Sequence, residues 1–571
     1  MVEVASVTQR CLGIVEILRR IVRYTTADNT IRTAAVLSRT SKLFHDAAQE
    51  IVWEELDDLR NLFRCFPEDV WDDDGASSRA FIRPPTPLEW KRVLANAALV
   101  KSLTLDSDDC GPERPDWSIL ALHCPEKQLF PNLRELSWTD NDDRKALSHG
   151  HLFLGPKLHS LTLKIGVVAH HDSAVQRLTS LLQTVAYQRP PLRELCVAFK
   201  SDKAAVRDAV IDVVKSTELE MLACGLLLSK KEVLAIAKSS SIKKVNICCR
   251  PNLDIDDEVF HGVIFPSVSS LSLTVESLED PSIRRLILDT SSPYLASIAI
   301  TCAMDPREDT LVEFLQGLAK RPDVYNIREL HLAFAEDVHR YFAPPSEVSE
   351  HTLGARTFQM IAALRSLIAL SVKSRSLDID NDVFETVVVN LPHLHSLILL
   401  PNRYSGVVPK LTLFAVYRAA MHLPCLRELG LALDTTLSYQ LGPLPGQWYN
   451  QSCTKLYVAD SPLQETHVES VAVTLSMLFW NPNLQIIAGE LGVPADEEHA
   501  AARKRYQAAW ARCQRLLFPL SQARYQERFR SGNPRAAWAV SYTVPLHWRP
   551  SESSPGAIAP LIAIVAPVTH L

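Results

Sequence analysis

The sequence predicts an α/β solenoid, with short parallel strands along one wall, helices along the other, and a three-helix module at the N-terminus. Two observations carry this. The spacing apolar-x-x-apolar-x-apolar recurs fourteen times across residues 99–490, with stretches of helical periodicity between the recurrences. Ahead of it, residues 11–56 carry three short apolar stripes at helical spacing.

The recurring segments centre on Leu103, Leu136, Leu161, Leu195, Leu222, Val245, Leu271, Ile298, Leu330, Leu370, Leu397, Leu429, Leu456 and Ile487, at intervals of 23 to 40 residues. Between them lie helix-like stretches such as 173–186, 309–320 and 469–480. A unit with a period-two strand and a 3.6-period helix cannot bury both apolar faces alone, so the units must stack. Parallel strands then line the concave side of an elongated arc and helices the convex side. The spacing resembles the leucine-rich repeat. That family places Asn or Cys five residues after the central leucine; here only Asn141 and Asn402 hold the place, against Asp108, Gly166, Lys200, Arg250, Glu276, Asp434 and Ser461 elsewhere. Other groups must therefore satisfy the turn backbones, and the loops are expected to be irregular.

In residues 11–56, Leu12, Ile14, Ile17, Leu18, Ile21 and Val22 form the first stripe. A polar break at 25–29 precedes a helix carrying Ile31, Ala34, Ala35 and Leu37, and a third helix from near Ser41 runs to Trp53. So little buried surface makes such a module dependent on its neighbours. The succession Leu12, Glu16, Ile17, Leu18, Ile21, then Ser41, Lys42, Phe44, then Ile51, Val52, Trp53 resembles the F-box, with Val15 and Thr40 where that family has proline and an apolar residue. The stretch RPPTPLEWKRVLANAALVKSLTLD, from Arg83, is also similar to the junction of basidiomycete (fungal) F-box proteins. The resemblance implies docking onto the Skp-type adaptor, and through it a cullin, by Leu12, Ile14, Ile17, Leu18, Ile21, Val22, Leu37 and Trp53. Residues 57–98 read as a junction with an acidic and proline-rich loop, 494–530 as a helical cap and 531–571 as a mobile tail.

Composition narrows the function. The chain has 47% hydrophobic and 22% charged residues, as folded proteins do. Its 60 basic and 66 acidic side chains leave a net charge of −6, which argues against nucleic acid and anionic membrane as partners. The twelve cysteines form no C-x-x-C, Arg10, Arg19, Arg20 and Arg23 break any signal-peptide core, and the apolar run 556–568 is too short to span a membrane. An intracellular place, cytoplasmic or nuclear, follows as the expectation, with the sequon at Asn450 unused.

Nucleophile-elbow, phosphate-loop, zinc-protease and dinucleotide motifs are all missing, so no catalytic residue, metal ligand or cofactor is assigned and the chain is expected not to be an enzyme. His170, His171 and Asp172 read as a turn and helix cap. On each strand the residues one before, one after and three after the centre should face the hollow, and the candidate substrate contacts among them are Asp106, Glu135, Glu329, His331 and Tyr457. Asp106, Asp108 and Asp109 should share a rim with Asp140, Asp142 and Asp143, an acidic surface for a basic partner. Two functions remain open. One is the substrate-recognition subunit of a cullin–RING ubiquitin ligase, binding an unidentified protein. The other is a non-catalytic repeat scaffold or inhibitor that does not bind the adaptor. Exposure of the first helix's apolar residues favours the former, and their burial against the repeats the latter.

Overall fold

The computed structural model describes the chain apart from residues 1–13, 26–29, 41, 71–82, 107–120, 141–144, 167–171, 200–202, 252, 254–261, 335–351, 403–408, 437–449, 490–496 and 531–571. Three helices open it: α1 (Val15–Thr25), α2 (Thr30–Thr40) and α3 (Lys42–Glu54). Helix α1 begins at Val15, where the F-box pattern has its proline. A first helical position needs no N–H partner, so valine can occupy it as proline would. Val22, Ala34, Ala48 and Ile51 form a small core of their own, with Leu37, Phe44 and Val52 packed on it.

Fifteen strands follow in one sheet, every neighbouring pair parallel and in chain order. They are β1 (Glu55–Leu56), β2 (Ser102–Asp106), β3 (Glu135–Asp140), β4 (Ser160–Ile165), β5 (Glu194–Phe199), β6 (Met221–Leu228), β7 (Lys244–Cys249) and β8 (Ser270–Val275). The rest are β9 (Ser297–Cys302), β10 (Glu329–Ala333), β11 (Ala369–Ser374), β12 (Ser396–Pro401), β13 (Glu428–Leu431), β14 (Lys455–Ala459) and β15 (Gln485–Ala488). This single sequential parallel sheet, each strand contributed by a leucine-patterned repeat, makes the chain a leucine-rich-repeat solenoid. Leu103 pairs with Leu136, Leu136 with Leu161, and the line of central residues continues in register to Leu456. On strands such as β2, β4 and β8 the central residue and the one two further on are buried, while their neighbours along the strand are half-buried or exposed.

Two departures from the expected repeats occur, one at each end. A fifteenth strand precedes the fourteen: α3 runs directly into β1, whose Leu56 pairs with Leu103. The interval 57–98, expected as a junction, contains α4 (Leu59–Phe63) and α5 (Pro87–Ala97), and Leu59, Leu62, Phe63, Phe66, Trp90 and Val93 join the repeat core. The acidic run within it lies outside the described residues. At the far end Leu456 pairs with Ile486 rather than Ile487. That one-residue shift turns Ile487 to the other face of the sheet.

Among the described residues, contacts where the chain enters the strands join neighbouring units, and Asn402 alone holds the family's asparagine place. Asn132 Nδ2 donates to the carbonyl of Ala98 at 2.7 Å, and Asn326, in the equivalent place, to Pro293 at 2.8 Å. Ser366 Oγ reaches the carbonyls of Val324 and Ile327. Buried Arg321 donates to the carbonyls of Ile287, Leu288 and Thr290 around the end of the helix Pro281–Leu288, and pairs with Asp323 at 2.8 Å. Asn450 Nδ2 donates to Leu423 O, and its Oδ1 accepts from the N–H groups of Ser452 and Cys453, all near 2.8 Å. The sequon asparagine is thus fully enclosed and cannot accept a glycan in the folded chain. At the strand exits, Asn402 donates to Phe334 O, and Ser461 accepts from Leu433 N at 2.8 Å.

A sheet edge must be covered or it templates further pairing. A long helix (Glu497–Arg530) does this at β15 through residues up to Ser521. Trp510, Cys513 and Leu517 are buried in the repeat core. The Gln514 side-chain amide accepts from Ile486 N at 2.5 Å and donates to Leu484 O at 2.9 Å, standing in for the peptide of a next strand. A second compact unit, Gln522–Leu571, is described only as the helix to Arg530; the expected tail 531–571 lies outside the described residues. Trp510→Ala leaves a cavity that costs about 3–5 kcal/mol. Repeat arrays lose stability locally. Hydrogen exchange is therefore expected to deprotect β14 and β15 while β2–β5 stay protected, and uniform deprotection would contradict this account of the cap.

Candidate protein-interaction surfaces

The first candidate surface is the outer side of the N-terminal module. On a 3.6-residue helix Ile14, Ile17, Ile21 and Tyr24 share one line and Leu18 and Val22 lie beside it. The structure splits this stripe. Leu18 and Val22 are 2% and 0% exposed and support the module from inside. Ile14, Ile17 and Tyr24 are 45%, 37% and 72% exposed, and Val36 on α2 is 57% exposed. Ile21 and Leu37 are half-buried, and Leu12 lies outside the described residues. Of the eight expected adaptor contacts, then, Leu18 and Val22 are not available at the surface, because a three-helix module this small needs half of the stripe for its own core. Trp53 is half-buried, packs against the repeat core and donates from Nε1 to Gln49 at 2.8 Å. Tyr24 and Val36 are exposed apolar residues that the motif did not flag.

The module is tied to the repeats by charge. Arg19 pairs with Glu50 at 2.5 Å and Arg23 with Glu54 at 3.0 Å, binding α1 to α3. Glu54 also accepts from Lys101 Nζ at 2.8 Å, and its carbonyl accepts from Lys101 N at 2.8 Å, just before β2. Burial alone would raise the Glu54 carboxyl; the hydrogen bonds from Lys101 and Arg23 outweigh it and hold the group below its ordinary value.

The second candidate is the sheet face opposite the helices. Glu135 and Glu194 are exposed there and each accepts from a serine on the preceding strand: Ser102 to Glu135 at 3.3 Å, Ser160 to Glu194 at 3.1 Å. Glu329 lies 4.0 Å from His331, whose imidazole burial pushes below the ordinary value while Glu329 partly offsets this. Asp106 is half-buried at the end of β2. Tyr457, also half-buried, shares its face of β14 with Lys455, which pairs with Glu428 at 2.8 Å.

Of the expected acidic rim, only Asp106 and Asp140 lie among the described residues. Asp140 is 7% exposed, because it stands four residues after Leu136 and so shares the buried parity of Leu136 and Trp138. Asp106 stands three after its centre and takes the open parity. Asp108, Asp109, Asp142 and Asp143 lie outside the described residues, as do His170 and His171. Among the described residues no group of three or more His, Cys, Asp or Glu is arranged to hold a metal ion. No described helix is long and apolar enough to cross a membrane.

The sheet, its register and its capped edge define a leucine-rich-repeat protein with an additional N-terminal helical module. No protein-family model and no curated protein matches the chain. A chain from the crystal structure of the Rad7 and Elc1 complex in yeast is similar at 14% identity, over 78% of this chain and 97% of that one, with a TM-score of 0.38. An internalin (inlF) from Listeria monocytogenes is similar at 12% identity, over 53% of this chain and 62% of that one, with a TM-score of 0.24.

Because the Glu54 pKa is depressed on folding, its pairing stabilises above the ordinary value of 4.5 and is lost as pH falls below it. Amide protection of α1–α3 is expected to fall between about pH 5 and 3 in the native chain. Glu54→Gln should already be loosened at neutral pH and lose that pH dependence; a variant that titrates like the native chain would remove Glu54 as the clasp.

Proposed function

We propose that this chain is the substrate-recognition subunit of a cullin–RING ubiquitin ligase. The N-terminal module docks a Skp-type adaptor, and through it a cullin, while the open sheet face binds a protein substrate. The observation that supports this is the uncovered apolar line Ile14, Ile17 and Tyr24 on a module with an F-box-like motif. Desolvating such a line against a partner is favourable, whereas leaving it in water is not. In this reading the chain performs no catalysis of its own and works in the cytoplasm or nucleus, where that adaptor and cullin operate.

One observation favours the second reading, a repeat scaffold that does not bind the adaptor. Trp53 packs on the repeat core and α3 continues into β1, so the module also serves as the first cap of the solenoid. The readings part on a pull-down with purified Skp-type adaptor. Ile17→Asp puts an unpartnered charge into the proposed contact and is expected to reduce capture by at least about tenfold with the module still folded. Leu18→Asp should instead unfold the module. Native chain that fails to capture the adaptor would leave the scaffold reading.

A further inference from the structure

The open sheet face changes character along the array. Its first strands carry Glu135, Lys164 and Glu194; its middle presents small residues such as Ser272, Ala299 and Ser371. The last strands differ. Reading the residue after each centre, β12 offers Ile398, β13 Gly430 and β14 Tyr457, paired in that order, and Tyr457 pairs with Ile487 on β15. Ile487 is there only because the last strand is shifted by one residue.

Gly430 makes the platform continuous. A Cβ at Gly430 would stand 3.0 Å from Ile398 Cγ2, closer than side chains ordinarily tolerate, so the missing side chain lets Ile398 lean across β13. Gly430 is buried as a result, while Ile398, Tyr457 and Ile487 stay half-exposed. Tyr457 lies two residues along β14 from Lys455, on the same face, and Lys455 is held by Glu428 at 2.8 Å. An aromatic ring in an apolar surround is the kind of residue that dominates binding energy at interfaces. Beside the platform, Lys373 is the third residue after the centre of β11, in register with Leu400 of β12, and no carboxylate among the described residues pairs with it. The neighbouring charges Glu428 and Lys455 cancel each other, which leaves Lys373 as the local excess charge.

We propose that the open face of β11–β15 is the substrate-binding subsite. Its occupant is a peptide segment with a large apolar side chain for the Ile398–Tyr457–Ile487 platform and a carboxylate for Lys373. Lys373 is one strand and two residues from Ile398, about 8 Å, and three strands and two residues from Tyr457, about 16 Å. At about 3.3 Å per extended residue the acidic side chain falls two to five positions from the apolar one. This deepens the reading that the open face holds a protein substrate and is independent of whether the adaptor docks.

The test is selection of a random peptide display library on the full chain without adaptor. Recovered peptides should share a large apolar residue with Asp or Glu two to five positions away. Tyr457→Ala and Ile398→Ser should each weaken a recovered peptide by at least about tenfold. Lys373→Glu, a surface change that leaves the core intact, should remove the acidic preference. Glu135→Lys, on the same face but at least eight strands away, should leave binding unchanged. Recovery of no peptide, peptides without the pattern, or equal losses in Glu135→Lys would overturn the assignment. Failure of the adaptor pull-down would not affect it, and failure of this selection would leave the adaptor reading standing.

Discussion

Everything in this molecule depends on the in-register pairing of each strand with the one before. A single repeat cannot cover both the apolar side of its strand and the apolar side of its helix, so each unit is stable only against its neighbours. The line of central residues from Leu56 to Ile486 is the geometric expression of that constraint. Once it is set, parity decides which side chains reach the core and which reach the open face. Asp140 is buried and Asp106 is not for this reason alone.

A stack held together by neighbours has weak ends, and the chain treats them differently. At the C-terminal end a helix supplies Trp510 to the core and a side-chain amide to the edge strand, closing the array. At the N-terminal end the last helix of the module becomes the first strand, and the Glu54–Lys101–Arg23 cluster ties the parts together. The module is therefore both cap and platform. Part of its apolar stripe serves its own core, and the remainder stands in solvent at an energetic cost that a partner's surface would remove.

The joints between units also explain how the solenoid tolerates the loss of the family's asparagine ladder. Carbonyls of the turns that feed the strands are met by Asn132, Asn326, Asn450 and Arg321, and backbone groups at the exits by Asn402 and Ser461. These contacts are specific to each turn, so spacing varies from unit to unit while the ladder of central residues stays aligned.

The sequence by itself determined the fourteen leucine-patterned strands and, up to Leu456, which residue of each sits in the core, because period-two burial writes itself into local order. It also determined the three helices of the module and the helix that ends the array, from 3.6-residue spacing and composition. What it left open depended on contacts between distant residues. Strand β1 is only Glu55–Leu56 and exists because β2 lies beside it. The choice between Ile486 and Ile487, two equivalent side chains, was made by pairing with Leu456. A helical stripe does not say which half faces its own bundle, so the burial of Leu18 and Val22 and the exposure of Ile17 and Tyr24 were decided by α2 and α3. The apolar platform at Ile398, Gly430 and Tyr457 was written in the sequence one letter per repeat, some thirty residues apart, and only the stacking of the strands brought those letters together.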